Sequence, residues 1–167
     1  MKTLILMRHT KAATPMPDRP DFDRHLAPRG EENARALGEW LRGQGHIPDL
    51  ALISGAQRTR ETWEGLALEA EVPVKLLDEL YDGVPSTYFG LLGKLDCGSA
   101  LIVGHNPTVA SVAEHLLRET EVPTELTAYP TGATLVITFD VEEWEEVAKT
   151  TGTLADWTIP RKLTASA

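Results

Sequence analysis

Cysteine is almost missing from this chain: of 167 residues only Cys97 carries a thiol. One thiol excludes an intramolecular disulfide and leaves no cysteine cluster for a structural zinc. A Cys-x5-Arg nucleophile is excluded as well, because the position six residues on is Val103, so Cys97 reads as a small structural residue. No His-Glu-x-x-His occurs, and the spacing of His105 and His115 is not that of metal ligands, so no metal site is expected. There is no run of about 18 consecutive apolar residues, and no extended apolar stretch follows a basic segment at the amino terminus. Membrane spanning and secretion are therefore not indicated, and the cytoplasm is the expected location. Positive charge is also scarce. Sixteen Lys and Arg face 25 Asp and Glu, a formal net charge of -9, which argues against a general nucleic-acid binder. No linker, internal repeat or low-complexity tract is visible, and 42% hydrophobic content suffices for one core, so residues 1–167 read as a single domain.

What is present is a series of short apolar runs. Thr3 to Met7, Asp49 to Ile53 and Ala100 to Val103 carry turn signals at their ends and read as buried parallel strands. Each is followed by a polar cluster and a helical pattern: Pro28 to Arg42, with Ala34, Leu37, Trp40 and Leu41 inward, then Gln57 to Glu69 and Val109 to Glu119. Gly43 and Gly45 are expected to stop the first helix. Alternating strands and helices imply a mostly parallel sheet with right-handed crossovers. Val72 to Leu77 reads as a further strand and Ser86 to Leu95 as a short helix. Ala133 to Phe139 alternates as a strand does, with Thr153 to Ile159 beside it as an antiparallel edge.

Three strands end in polar residues. Arg8-His9-Thr10 follows the first, Ser54 to Thr59 the second, and Gly104-His105-Asn106-Pro107 the third. In isolation Arg8-His9 is an ordinary polar strand terminus. In a parallel sheet, however, all three carboxyl ends lie on one edge, where open α/β proteins bind ligands, so residues 8, 9, 58 and 105 can converge. Arginine's fork of donors suits phosphate oxygens, and histidine attacks or exchanges protons near neutrality. Ser54 is a candidate N-cap for the helix it precedes, whose first amides would face an anion. Arg58 and Arg60, two residues apart, point roughly 200° apart on a helix, so only one can face the site.

These motifs resemble those of the histidine phosphatase superfamily, the phosphoglycerate mutase-like fold, and within it the small bacterial SixA-type phosphohistidine phosphatases. The matching residues are Arg8-His9-Thr10-Lys11-Ala12, Asp23-Arg24-His25-Leu26 with Arg29-Gly30, Ser54 through Thr62, Val103 to Pro107, and Pro130-Thr131-Gly132-Ala133. The resemblance implies a three-layer α/β/α sandwich in which His9 is the nucleophile that becomes phosphorylated. Arg8, Arg58 and His105 would surround the transferred phosphoryl group, without metal or other cofactor. Two guanidinium forks and a donating imidazole answer the charge that a transferring phosphoryl group spreads over three oxygens. His9 must be neutral at its attacking nitrogen, whereas His105 is more useful as a cation.

Glu79 matches the superfamily position of a general acid by its spacing to Gly83, with Asp82 as a competitor and a solvated loop carboxylate as the plain reading of both. Arg24 matches a substrate-contacting motif position, or else pairs with Asp21 or Asp23 at the surface. His25 lies in a region that frames the cleft, whereas His46 and His115 look peripheral. Trp40 and Trp63 read as core and Glu142 to Glu146 as a solvated face. The compact chain suggests an open site that takes phosphohistidine on another protein. A small phosphorylated metabolite and a non-catalytic phosphoryl-binding module are the alternatives; a mutase would need a closed, dry site.

Overall fold

The computed structural model describes residues 1–164. A six-stranded sheet has β1 (Lys2–Arg8) near its middle, because the run Leu4 to Met7 is apolar on both faces and needs cover on both. The order is β3 (Val74–Leu77), β2 (Leu50–Ser54), β4 (Ser99–Gly104), β1, β5 (Thr134–Phe139), β6 (Thr153–Thr158). The first four of these are parallel. β5 alone is reversed and lies one place inside the edge; β6 pairs antiparallel to it and thereby returns to the direction of β1.

Helices cover both faces, making the three layers expected. Leu37 and Leu41 of α1 (Pro28–Gly43) and Trp63 and Leu66 of α2 (Gln57–Leu66) pack with Ile5, Met7, Ile53 and Val103 on one face. On the other, Tyr88 and Leu92 of α3 (Pro85–Leu92) and Val109, Val112 and Leu116 of α4 (Thr108–Leu116) pack with Leu4, Leu6 and Ile102. A short α5 (Pro160–Thr164) completes the chain described. None of these helices is long and apolar enough to cross a membrane.

Several boundaries differ from the sequence reading for physical reasons. α2 ends at Leu66 rather than Glu69, because Ala67 turns to a left-handed conformation (φ 56°) that lets Leu68 point inward. α4 ends at Leu116, three residues short of Glu119. Gly43 lies within α1, and it is Gly45, at φ +76°, that redirects the chain. The acidic run Glu142 to Glu146 is more than a solvated face. Its carboxylates are exposed, but a 3-10 helix (Trp144–Lys149) inserts Trp144 and Val147 into the core, and the Trp144 indole N–H donates to the Cys97 carbonyl at 2.6 Å. Trp63 is buried as expected, while Trp40 is half-buried.

Strand register aligns the chemistry. Arg8 is level with Gly104 across the β1–β4 pair, and Ile53 with Val103 across β2–β4. The residues that follow β1, β2 and β4 therefore leave the sheet at one height, on its carboxyl edge.

Candidate active site

His9 and His105 face each other above that edge with ring centroids 5.4 Å apart, each about 5–6% exposed. The His9 Nδ1 lies 2.7 Å from the Thr10 carbonyl. A carbonyl only accepts, so Nδ1 carries the proton and the lone pair resides on Nε2. Thr10 is itself held from below by Thr62, which accepts from its backbone N–H at 3.2 Å. Burial pushes the His9 imidazole down to about 4, reinforced by the neighbouring charges of Arg58, Arg8 and Arg24, so the ring is neutral at neutral pH.

The His105 Nε2 contacts the Ser54 hydroxyl at 2.8 Å. Ser54 is therefore not the expected N-cap of α2; Ala56 occupies that position and has no capping side chain. Thr59 of α2 donates to the carbonyls of Ser54 and Ala56 as the chain enters the helix, while the Ser54 hydroxyl oxygen accepts the Ala56 N–H at 3.4 Å and lies against His105. Gly104 brings the next strand end close: a Cβ there would meet the Tyr88 hydroxyl at 2.2 Å, and that hydroxyl accepts the His105 backbone N–H at 3.3 Å. Burial, then the neighbouring His9, then Arg58, lower the His105 ring to about 3.

The guanidinium groups are anchored by groups that local patterns do not reveal. Arg8 donates to the Tyr129 carbonyl at 3.1 Å, which also accepts from the Asn106 amide at 3.2 Å. Arg58 donates to both the carbonyl and the carboxylate of Asp21, at 2.8 and 3.0 Å, and the Tyr81 hydroxyl donates to the same carboxylate at 2.6 Å. The Tyr81 hydroxyl, then Arg58, hold the Asp21 carboxyl below its ordinary range. Arg60 points elsewhere and bonds Gln57, as the helical spacing requires.

Arg8, His9, Arg24, Arg58, His105 and Asn106 share the lining of an open cleft of about 670 Å³. Among the described residues five buried side-chain nitrogens have no hydrogen-bond partner, and four of them, Arg8 Nε, Arg24 Nε, Arg58 Nε and His105 Nδ1, belong to this cleft. A buried polar nitrogen without a partner costs about 1–3 kcal/mol, and this cost is concentrated in three guanidinium groups and an imidazole around one cleft, a grouping suited to an anion. The first turn of α2 adds its dipole end, and carries no acidic residue to neutralise it.

The remaining sequence candidates are placed as follows. Arg24 both lines the cleft and pairs with Asp21 at 3.7 Å. Glu79 is exposed on a 3-10 turn (Asp78–Leu80) and is not among the cleft-lining residues; none of those is a carboxylate. His25 pairs with Glu61 at 2.6 Å beside a neighbouring hollow, His46 pairs with Asp156 at 2.8 Å, and His115 donates to the Ala148 carbonyl. Tyr81 and Tyr129 have no signal in the local sequence, and Asp21 stands out there only as a surface partner for Arg24.

The profile of the histidine phosphatase superfamily (branch 1) matches residues 4–83. A protein assigned as the phosphohistidine phosphatase SixA of Nakamurella multipartitia superposes with a TM-score of 0.83 at 29% identity, covering 95% of this chain and 96% of that one. The protein histidine phosphatase SixA complexed with tungstate superposes with a TM-score of 0.79 at 25% identity over 97% of this chain and 99% of that one. An uncharacterized protein of Mycobacterium leprae is 38% identical over 112 residues, 64% of this chain and 68% of the relative.

Proposed function

This chain belongs to the histidine phosphatase superfamily, and we propose that it hydrolyses phosphohistidine on a protein through a phosphorylated His9. The observation that carries the reading is the Thr10 hydrogen bond that leaves the His9 Nε2 lone pair free among unpaired cleft donors. A SixA protein of the same fold is solved with tungstate, an oxyanion of phosphate's shape, which is consistent with that donor set.

In the first displacement Nε2 of His9 attacks phosphorus and the bond to the substrate nitrogen breaks. Arg8, Arg58 and Arg24 hold the equatorial oxygens, and Nδ1 of His105, when protonated, donates to one of them. The neutral ring carries that proton when its Nε2 accepts from the Ser54 hydroxyl. A phosphoimidazole that carries a proton on its other nitrogen departs as neutral imidazole and needs no acid from the enzyme. An alkoxide leaving group does need one, and among the described residues no carboxylate lines the cleft. This favours phosphohistidine over a phosphate monoester.

In the second displacement water attacks the phosphohistidine on His9; one of its protons remains with the phosphate released and the other passes to solvent in the open cleft. His9 leaves with the bonding pair on Nε2. Because Nδ1 keeps its proton on the Thr10 carbonyl, the departing group is again neutral imidazole. Positive charge is supplied by arginines throughout, so no step is routed through a metal ion.

Phosphohistidine peptide and a generic phosphate ester should each be incubated with the native protein and with His9→Ala. Turnover of the peptide, abolished in His9→Ala and accompanied by acid-labile, base-stable label on His9, is expected. Turnover that survives His9→Ala would sink the mechanism. Faster turnover of the ester would favour a small phosphorylated metabolite, and turnover of neither would favour a phosphoryl-binding module.

A further inference from the structure

A second open cleft, of about 580 Å³, adjoins the first and shares Lys11 and Thr131 with it. Its charged lining is Lys11, Arg29, Arg161 and a single carboxylate, Glu125, in a chain whose net charge is -9. Among the described residues none of the three cations forms an ion pair. Their grouping is imposed by the fold. Gly30 in the first turn of α1 approaches so closely that a Cβ would stand 2.1 Å from the Lys11 carbonyl oxygen, and the Ala27 backbone N–H donates to that same oxygen at 2.9 Å. The start of α1 is thus clamped to the segment after β1, which sets Arg29 beside Lys11. Arg161 arrives from the first turn of α5, whose Pro160 and preceding Ile159 form an apolar wall of the cleft.

Arg29 occupies the second position of a 16-residue helix, where the helix dipole favours an acid and disfavours a cation. Helix stability does not account for its charge; an external anion would. We infer that this cleft is a docking subsite for acidic side chains flanking the phosphohistidine on a partner protein. The inference rests on the phosphohistidine reading and names the surface that presents the substrate. Pockets for small ligands run about 300–1,000 Å³, so either cleft accommodates one, but only a larger partner reaches both: a phosphohistidine in the first cleft places its flanking side chains at the second, which shares Lys11 and Thr131 with it. The apolar wall beside the cations suits a protein surface that mixes acidic and apolar groups.

Binding and turnover test it separately. An unphosphorylated Glu/Asp-rich peptide is titrated by calorimetry into the native protein, Arg29→Gln/Arg161→Gln and Arg29→Glu/Arg161→Glu, with thermal melts confirming that each variant folds. Salt-sensitive binding that weakens about tenfold or more with charge reversal, and less with the neutral pair, is expected. Binding unchanged by reversal, or absent from the native protein, overturns the subsite. Citrate competing as strongly as the peptide overturns protein docking in favour of a small polyanion. In the turnover arm, the preference in kcat/KM for a phosphohistidine peptide with acidic flanks over one with neutral flanks should shrink by a similar factor on reversal. Should neither peptide be hydrolysed, the phosphohistidine reading fails while the calorimetry still decides the subsite.

Discussion

Ser54 Oγ lies 2.8 Å from Nε2 of His105, and this contact occupies one ring nitrogen and leaves the other, Nδ1, buried and without a partner. When the serine donates, Nε2 accepts and the proton sits on Nδ1, the tautomer that can bond a phosphoryl oxygen. Ser54→Ala is expected to lower kcat about 10- to 100-fold, at or below the lower end of the roughly 10²- to 10⁴-fold range for a proton-transfer group itself, because Ser54 acts through His105, and to shift the acidic limb of the pH profile. Nitrogen chemical shifts of His105 report the tautomer directly; an unchanged shift pattern with unchanged kcat would refute the role.

Arg58 is held by the Asp21 carbonyl and carboxylate at once. Arg58→Lys keeps the charge but loses the fork, and kcat/KM for phosphohistidine peptide should fall about 10²- to 10³-fold, the effect of removing one preorganised donor. Asp21→Ala leaves the guanidinium present but less constrained, so KM should rise more than kcat falls. Steady-state kinetics of both variants, with equal losses counting against the positioning role, provides the check.

Glu79 is exposed and outside the cleft lining. Glu79→Gln should therefore stay within about threefold of native kcat on phosphohistidine peptide, where neutral imidazole departs without a strong acid. A loss of a hundredfold on that substrate would restore Glu79 as general acid and mean that the loop moves toward the cleft.

The two buried histidines also set an acid limit on stability. Their folded values, about 4 for His9 and about 3 for His105, lie below the ordinary value of 6.5, so between those limits the unfolded chain binds more protons. Stability from these rings is complete above pH 6.5 and declines as pH falls toward 4, on the order of 3 kcal/mol for each. Urea melts from pH 7 to 4 should show the decline, and His9→Gln/His105→Gln should flatten it. An equally steep decline in that variant would place the acid sensitivity elsewhere.

Gly30 admits the Lys11 carbonyl where a side chain would collide. Gly30→Ala should cost about 1–3 kcal/mol, as overpacked sites do, and should also raise KM because α1 and Lys11 border the His9 cleft. Denaturant melts beside kinetics separate the two effects; a neutral substitution on both would show that the first turn of α1 can yield.

Much of the site was legible because it follows from short-range rules. Leu4 to Met7 can only be a strand covered on both faces, the helical patterns after residues 28, 57 and 109 demand crossovers, and parallel strands share a carboxyl edge. Arg8, His9, Arg58 and His105 then meet there, and the spacing of Arg58 and Arg60 already allowed only one of them inward. The misleading signal is local too: Ser54 suits a cap because capping is a property of adjacent residues, while its histidine partner comes 51 positions later.

The sequence by itself therefore determined the α/β class, the strand ends that converge on one edge of the sheet and the arginine and histidine side chains that line the cleft there. These depend on periodicity and on chemical identity, which neighbouring residues express. Only the tertiary structure decided which nitrogen of His9 holds the proton, that Ser54 serves His105, that Asp21 and Tyr81 brace Arg58, and that Lys11, Arg29 and Arg161 share a cleft. Each of these is a hydrogen bond or charge juxtaposition between segments whose separation along the chain no local pattern encodes; packing around the sheet edge brings them within reach.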